Sequence, residues 1–104
     1  MMAAFGGDEV RCSDYATCGT PELSTAVLKA ISGRQGCLMA SHGMVVGGGN
    51  LTNALWLAHE MEALAHQHFH TLLVGGAHLL DDAQIDATAK GFAIYGAKAK
   101  GAAA

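Results

Sequence analysis

Charged side chains are scarce in this 104-residue chain. They make up 14% of the sequence, whereas apolar residues make up 51%, and an ordinary domain has about 25% charged residues. This shortage predicts that another chain covers part of the surface, and we therefore expect a homo-oligomer. The six Lys and Arg residues and the formal net charge of −3 argue against nucleic acid as a partner, because its affinity comes largely from basic groups that contact phosphates.

Long apolar runs are also missing. No run of about 18 apolar residues is present, so a membrane partner is not expected. Residues 1–7 lack the basic segment and the long apolar stretch of a signal peptide. The three cysteines, Cys12, Cys18 and Cys37, form no zinc-ribbon spacing, so we expect core-filling thiols in a cytoplasmic protein.

Helix-start signals and turn residues divide the chain into three predicted helices. Thr20 and Pro21 suit the N-cap and the first position of a helix, which would end at Ser32-Gly33. The longest helix is predicted from about residue 51 to residue 74, with Asn50 or Thr52 as its cap. Acidic residues at 81–82 open a last helix.

The remaining segments contain little regular structure by the same criteria. Residues 1–19 are predicted to be an irregular or extended apolar arm, typical of the middle of a longer protein. Two short apolar runs that meet at residues 41–43 predict one hairpin. The predicted fold is therefore an α-rich α/β fragment with three helices and at most one short hairpin, completed by oligomerisation. A rearranged, mostly helical bundle is the alternative.

Six histidines are the most distinctive side chains of the sequence, and imidazole is a common ligand of zinc and similar metals. They are His42, His59, His66, His68, His70 and His78. His42 lies between two predicted strands and precedes Gly43, which allows a tight backbone turn. The position suits either a metal ligand or an ordinary turn histidine.

The long helix contains a second candidate site. His59, Glu62, His66 and His70 are spaced three, four and four residues apart and so share one helical face. Histidines one turn apart can bind one metal ion together, and Glu62 could then act as a ligand, as a residue that orients a histidine, or as a proton shuttle. The alternative is a polar stripe on a half-buried helix.

Four segments together resemble the class II aldolase and adducin family, especially its L-fuculose-phosphate aldolases. They are Tyr15-Ala16-Thr17-Cys18-Gly19-Thr20-Pro21-Glu22-Leu23-Ser24, Cys37-Leu38-Met39-Ala40-Ser41-His42-Gly43-Met44, Ala54-Leu55-Trp56-Leu57-Ala58-His59-Glu60-Met61-Glu62 and Lys90-Gly91-Phe92-Ala93-Ile94-Tyr95-Gly96. The resemblance implies that residues 1–104 are a single domain corresponding to the C-terminal half of such an enzyme, and we expect residues 97–104 to be a flexible tail.

The resemblance also implies a chemistry. Similar enzymes are zinc-dependent, usually tetrameric, and cleave a sugar phosphate into dihydroxyacetone phosphate and an aldehyde, with the metal acting as a Lewis acid. His42 stands at the family's last metal histidine, and Tyr95 stands at a C-terminal tyrosine that donates a proton in a neighbouring subunit. The family's other metal ligands and its catalytic glutamate belong to an N-terminal half that these 104 residues lack.

Three functions follow from these considerations. The first is a zinc-type metalloprotein derived from an aldolase, which hydrolyses activated phosphate esters through a metal-bound hydroxide, with Zn²⁺ or another divalent transition metal held by His42, His59, His66 and His70. Glu62 and Tyr95 would be its catalytic residues, and a small phosphorylated substrate its ligand. The second is a retained aldehyde-lyase activity that needs the missing half. The third is an inactive oligomerising fragment.

Overall fold

Three α-helices and a small sheet make up the computed structural model, which describes the backbone of residues 2–102 and the side chains of residues 2–92 and Ile94. The elements, in chain order, are a 3-10 helix Met2–Phe5, strand β1 Cys12–Ser13, helix α1 Pro21–Ile31, strand β2 Gly36–Met39, strand β3 Gly43–Val46, helix α2 Leu51–Leu73 and helix α3 Asp82–Ala102. The predicted α-rich α/β class, with three helices and one hairpin, is confirmed. The predicted tail at 97–104 has no described side chains, and its flexibility stays a prediction.

Helices α1 and α2 begin at side chains that cap them. The Thr20 hydroxyl accepts a hydrogen bond from the Leu23 N–H at 3.4 Å, and Pro21 follows as the first helical residue. The Asn50 side chain accepts a hydrogen bond from the Asn53 N–H at 2.8 Å. Because these bonds satisfy backbone donors that have no partner inside the helix, they fix where each helix starts.

Helix α3 begins with a reciprocal cap. The Asp81 carboxylate accepts from the Gln84 N–H at 2.8 Å, and the Gln84 side-chain oxygen accepts from the Asp81 N–H at 2.9 Å. This is the capping-box arrangement, in which two backbone donors are satisfied together. Between α2 and α3, Gly75 and Gly76 both have positive φ angles, which suits glycine and ends α2.

The sheet has the order β1-β2-β3. Strands β2 and β3 form the predicted antiparallel hairpin, in which Cys37 lies opposite Val45. Strand β1 adds a short parallel edge, with Cys12 opposite Leu38 and Ser13 opposite Met39. This strand lies in the segment predicted to be irregular or extended, and because it pairs with residues about 26 positions further along the chain, no local pattern identifies it.

Phe5, Leu57 and Met61 form the core, where the N-terminal segment and α2 meet over the sheet. Phe5 is completely buried, and its carbonyl accepts a hydrogen bond from the Gln35 N–H at 2.9 Å. The prediction of an unstructured arm at residues 1–19 is therefore wrong for Met2–Phe5, which is a helical turn. Tertiary packing of one aromatic ring orders a segment that has no periodicity of its own.

The first residue of β2, Gly36, is closely approached by core side chains. A Cβ atom at Gly36 would lie 2.7 Å from Met61 Cε, 3.0 Å from Val46 Cγ1 and 3.2 Å from Phe5 Cδ1. Ordinary carbon contacts are about 3.5–4.0 Å. The missing side chain lets the core residues approach the strand directly.

Much of α2 is not covered by the rest of the described structure. Five apolar residues on one side of this helix are exposed, and we call them the apolar stripe of α2: Leu51, Leu55, Phe69, Leu72 and Leu73. Their exposed fractions range from 59% at Phe69 to 87% at Leu51. No helix in the described part of the chain is both long and apolar enough to cross a membrane.

Candidate functional site

His42 lies in the tight turn that joins β2 to β3. Its N–H donates a hydrogen bond to the Met39 carbonyl at 3.0 Å, which closes a four-residue turn. Ser41, the third residue of that turn, has a φ of 61°, and Gly43 has a φ of 130°. A non-glycine residue with positive φ is uncommon, and such strain persists only where the surrounding structure holds it. The turn places the His42 side chain at the end of the hairpin, exposed to solvent.

Two neighbouring residues hold the His42 ring. Its Nε2 atom lies 2.8 Å from the Ala16 carbonyl oxygen, and the Tyr15 ring stacks on it with a centroid separation of 5.5 Å and an interplanar angle of 16°. A carbonyl oxygen can only accept, so Nε2 carries the proton and the neutral ring keeps its lone pair on Nδ1. Metal-binding histidines commonly donate one ring N–H to a carbonyl in this way, and the ligand role of His42 stays a prediction.

The sheet explains why residues so distant in sequence meet. Because β1 and β2 are parallel, the residues that follow each strand emerge at the same edge of the sheet. Tyr15 and Ala16 follow β1 by two and three residues, and His42 follows β2 by three. Neither Tyr15 nor Ala16 was assigned a role from the sequence, although both belong to the first segment that carries the family resemblance.

Arg11, the residue before β1, ties this strand to the C-terminal end of α1. Its Nε donates to the Ala30 carbonyl at 2.8 Å, and its Nη2 donates to the Ser32 carbonyl. The last carbonyls of a helix have no partner inside the helix and carry partial negative charge, so a guanidinium is well suited to bind them. Arg11 thereby fixes the start of β1, which in turn places Tyr15 and Ala16.

Two histidines contact each other near the end of α2. The rings of His66 and His70 stack with centroids 4.8 Å apart and an interplanar angle of 10°. The Nδ1 atom of His70 lies 2.9 Å from the His66 carbonyl oxygen. Both side chains are exposed. The structure therefore brings together two of the predicted metal ligands.

The other predicted site residues do not join this pair. Among the described residues, no group of three or more His, Cys, Asp or Glu side chains is arranged to hold a metal ion. His59 and Glu62 are exposed on α2, and His42 belongs to the hairpin turn instead. Tyr95 lies within α3, but its side chain is outside the described residues. Their catalytic and ligand roles stay predictions.

The cysteines are divided between core and surface. Cys37 is buried, whereas Cys12 and Cys18 are exposed, so the prediction of core-filling thiols is wrong for Cys12 and Cys18. Burial raises the pKa of the Cys37 thiol, the neighbouring Cys12 adds to the rise, and Arg11 partly opposes it. The raised pKa keeps Cys37 protonated, which makes it a poor nucleophile and metal ligand and agrees with its predicted role as a core-filling residue.

Known proteins resemble this chain in sequence. The family model described as "Class II Aldolase and Adducin N-terminal domain" matches residues 1–69. L-fuculose phosphate aldolase of Escherichia coli K12 is 41% identical over 97 residues, which cover 92% of this chain and 45% of that protein. A 5-methylthioribulose-1-phosphate/5-deoxyribulose-1-phosphate aldolase of Rhodospirillum rubrum is 39% identical over 100 residues, or 96% of this chain and 45% of that protein.

A solved structure shows the same likeness in three dimensions. A structure of L-fuculose 1-phosphate aldolase superposes with a TM-score of 0.82 at 36% identity, covering 88% of this chain and 43% of that one. The chain thus spans less than half the length of these relatives. The matched family model and the identity with its members over almost the whole of these 104 residues show that the chain belongs to the class II aldolase and adducin family.

Proposed function

We propose that this chain is the His42-bearing portion of a class II sugar-phosphate aldolase, an aldehyde-lyase that cleaves a phosphorylated ketose into dihydroxyacetone phosphate and an aldehyde. The reaction would need residues beyond these 104, because the relatives that carry this activity in their names are about twice as long. The proposal includes a cytoplasmic location and assembly into a homo-oligomer.

The observation that best supports this proposal is the way His42 is held. The Ala16 carbonyl accepts from Nε2 and the Tyr15 ring lies against one face of the imidazole. These contacts fix the ring and leave Nδ1 as the nitrogen with a free lone pair. A histidine oriented in this way by its neighbours is suited to serve as one member of a larger ligand set.

The divalent metal typical of this family does not fit the described residues taken alone. Catalytic zinc sites generally use three protein ligands, and among the described residues His42 belongs to no group of three or more His, Cys, Asp or Glu side chains that could hold a metal ion. We therefore derive no reaction step through a metal in this chain. The remaining ligands and the base of the reaction would come from the rest of the enzyme.

Complementation tests the proposal. The chain would be mixed with a separate polypeptide containing the part of the Escherichia coli K12 relative that lies outside the 97 matched residues. Condensation of dihydroxyacetone phosphate with an aldehyde would then be measured with zinc present. We expect no condensation from the chain alone, and activity from the mixture.

Two variants show whether the activity of the mixture depends on His42. His42→Ala should abolish condensation, because it removes the one proposed ligand in this chain. His68→Ala, which removes an exposed histidine of α2, should leave the rate unchanged. Condensation by the pure chain, or a mixture that remains fully active with His42→Ala, would contradict the proposal.

Hydrolysis of activated phosphate esters is the weaker of the two predicted activities. It requires a metal centre inside this chain, and the described residues bring together a pair of histidines, His66 and His70, instead of three ligands. Two protein ligands fall short of the usual catalytic zinc site. The aldolase proposal needs no such centre within these residues and therefore takes precedence.

Self-association is supported by the apolar stripe of α2. Apolar side chains in contiguous exposed patches are typical of interaction surfaces, and Phe69, Leu72 and Leu73, which are neighbours at the C-terminal end of the stripe, are all more than half exposed. We expect the chain to sediment as a dimer or larger at micromolar concentration. A Phe69→Ser variant should shift it toward monomer, whereas Ala63→Ser, at another exposed position of α2, should not.

A further inference from the structure

We propose that His66 and His70 form a two-ligand site for a divalent transition cation, of the zinc, nickel or copper type, on the exposed surface of α2. The proposal does not depend on the aldolase function, because neither histidine contacts the hairpin turn that bears His42. It concerns binding and makes no claim of catalysis. Imidazole nitrogens favour these metals over magnesium or calcium, which prefer oxygen ligands.

The spacing of the two rings carries the first part of the argument. Residues four apart lie one above the other on a helix, and the two imidazoles already stack 4.8 Å apart between centroids. Two nitrogens bound to one tetrahedral zinc ion are about 3.3 Å apart, given Zn–N distances near 2.05 Å. Because both side chains are exposed, the His66 ring can rotate out of the stack and aim one nitrogen at a cation bound by His70, without disturbing the core.

A backbone contact fixes one of the two rings. The Nδ1 atom of His70 lies 2.9 Å from the His66 carbonyl oxygen, which can only accept a hydrogen bond. Nδ1 therefore carries the proton, and the lone pair of the neutral ring is on Nε2, the nitrogen further from the backbone. Metal-binding histidines commonly donate their other N–H to a carbonyl in this way.

The neighbouring residues restrict the same ring further. Phe69 contacts His70 edge-on, with centroids 5.8 Å apart and an interplanar angle of 74°. Glu62 precedes His66 by one turn, so its exposed carboxylate lies on the same side of the helix and adds negative charge near the cation. His59 is seven residues before His66 and makes no described contact with either ring.

The site would stabilise the part of α2 that has no buried side chain. A cation that binds residues one turn apart favours the helical conformation over the unfolded one, because it binds both ligands only when the helix is formed. His66 and His70 lie in the exposed C-terminal part of α2, beyond the buried residues Leu57 and Met61.

Calorimetric titration of the chain with NiCl₂ and with ZnCl₂ tests the site. The titration uses a Cys12→Ser/Cys18→Ser background, because both thiols are exposed and thiolates also bind these metals. We expect one cation per chain, bound by the two histidines together. His66→Ala and His70→Ala should each lower the affinity at least about tenfold, since the second ligand no longer binds at high effective concentration.

Two matched variants and a second measurement complete the test. His68→Ala and His59→Ala should leave the affinity within about twofold, since alanine preserves helix propensity and neither residue belongs to the pair. Nickel should raise the midpoint temperature of thermal unfolding of the Cys12→Ser/Cys18→Ser protein. It should not raise that of the same protein carrying His66→Ala and His70→Ala. The proposal would be overturned if the double variant still bound the cation with the original affinity. It would also be overturned if His59→Ala lowered the affinity as much as His66→Ala does.

Discussion

The buried residues of α2 lie in its N-terminal half, where Leu51 and Leu55 are nevertheless exposed, and its C-terminal half has none. In the N-terminal half, Leu57 and Met61 are buried against Phe5 and the sheet. In the C-terminal half, Phe69 and Leu72 are about 60% exposed. Both halves have the same helical geometry and a similar proportion of apolar residues. The difference shows that apolar composition alone does not tell whether a helix face is buried within its own chain or left for another one.

The largest expected difference in unfolding free energy is between alanine substitutions of a buried and an exposed phenylalanine. Phe5→Ala should lower the free energy of unfolding by about 3–5 kcal/mol, because it leaves a cavity in the only large cluster of buried side chains among the described residues. Phe69→Ala, on the exposed part of α2, should cost less than about 1 kcal/mol at concentrations where the chain is a monomer. Urea denaturation followed by circular dichroism measures both, and equal losses would contradict the comparison.

A second pair of variants tests the close approach at Gly36. Gly36→Ala should destabilise the chain by about 1–3 kcal/mol, because the added methyl group overpacks the space between Met61 and Phe5. Gly47→Ala is the control, since a Cβ atom there would meet no other atom within 4 Å. Its effect should stay within about 0.5 kcal/mol. A neutral Gly36→Ala variant would show that the core is looser than described.

The cap of α2 should give a smaller effect. Asn50→Ala removes the acceptor for the Asn53 N–H and should cost about 1 kcal/mol. Thr52→Ala, the other cap predicted from the sequence, should cost less than about 0.5 kcal/mol because Thr52 lies inside the helix. Thermal unfolding of the two variants distinguishes them, and a larger loss for Thr52→Ala would contradict the assigned cap.

The smallest expected effect is the pH dependence contributed by Cys37. Burial raises the pKa of this thiol in the folded chain, so the folded state retains a proton that the unfolded state loses first. The resulting stabilisation is complete below the ordinary thiol pKa of about 8.5 and is lost as pH rises through the folded value. Cys37→Ala should flatten the fall in stability above pH 8.5, and Cys18→Ala, at an exposed site, should not.

Local signals in the sequence predicted the helices well. Thr20 and Pro21 mark the start of α1, Asn50 marks the start of α2, and the glycines at 75–76 follow its end. Each of these signals acts within a few residues of the helix end it determines. The hairpin was predicted for the same reason, since its two strands are joined by a short turn.

Long-range contacts were the part that sequence patterns missed. The burial of Phe5 and the pairing of β1 with β2 depend on partners more than 20 residues away. The same holds for the site: family resemblance identified His42, but the contacts of Tyr15 and Ala16 with its ring required the parallel strands to be known. Helical spacing predicted that His59, Glu62, His66 and His70 share one face of α2, and among these the structure describes a ring contact between His66 and His70.

Amide hydrogen exchange along α2 in the isolated chain tests the comparison most directly. Exchange reports local opening, and segments with few buried contacts open more readily than the core. Amides around Leu57 and Met61 should be protected nearly to the limit of global unfolding, and those from residue 66 to residue 73 should exchange much faster. Uniform protection along α2 at monomer concentrations would contradict the account, because it would mean that the exposed half is as stable as the half that packs against Phe5.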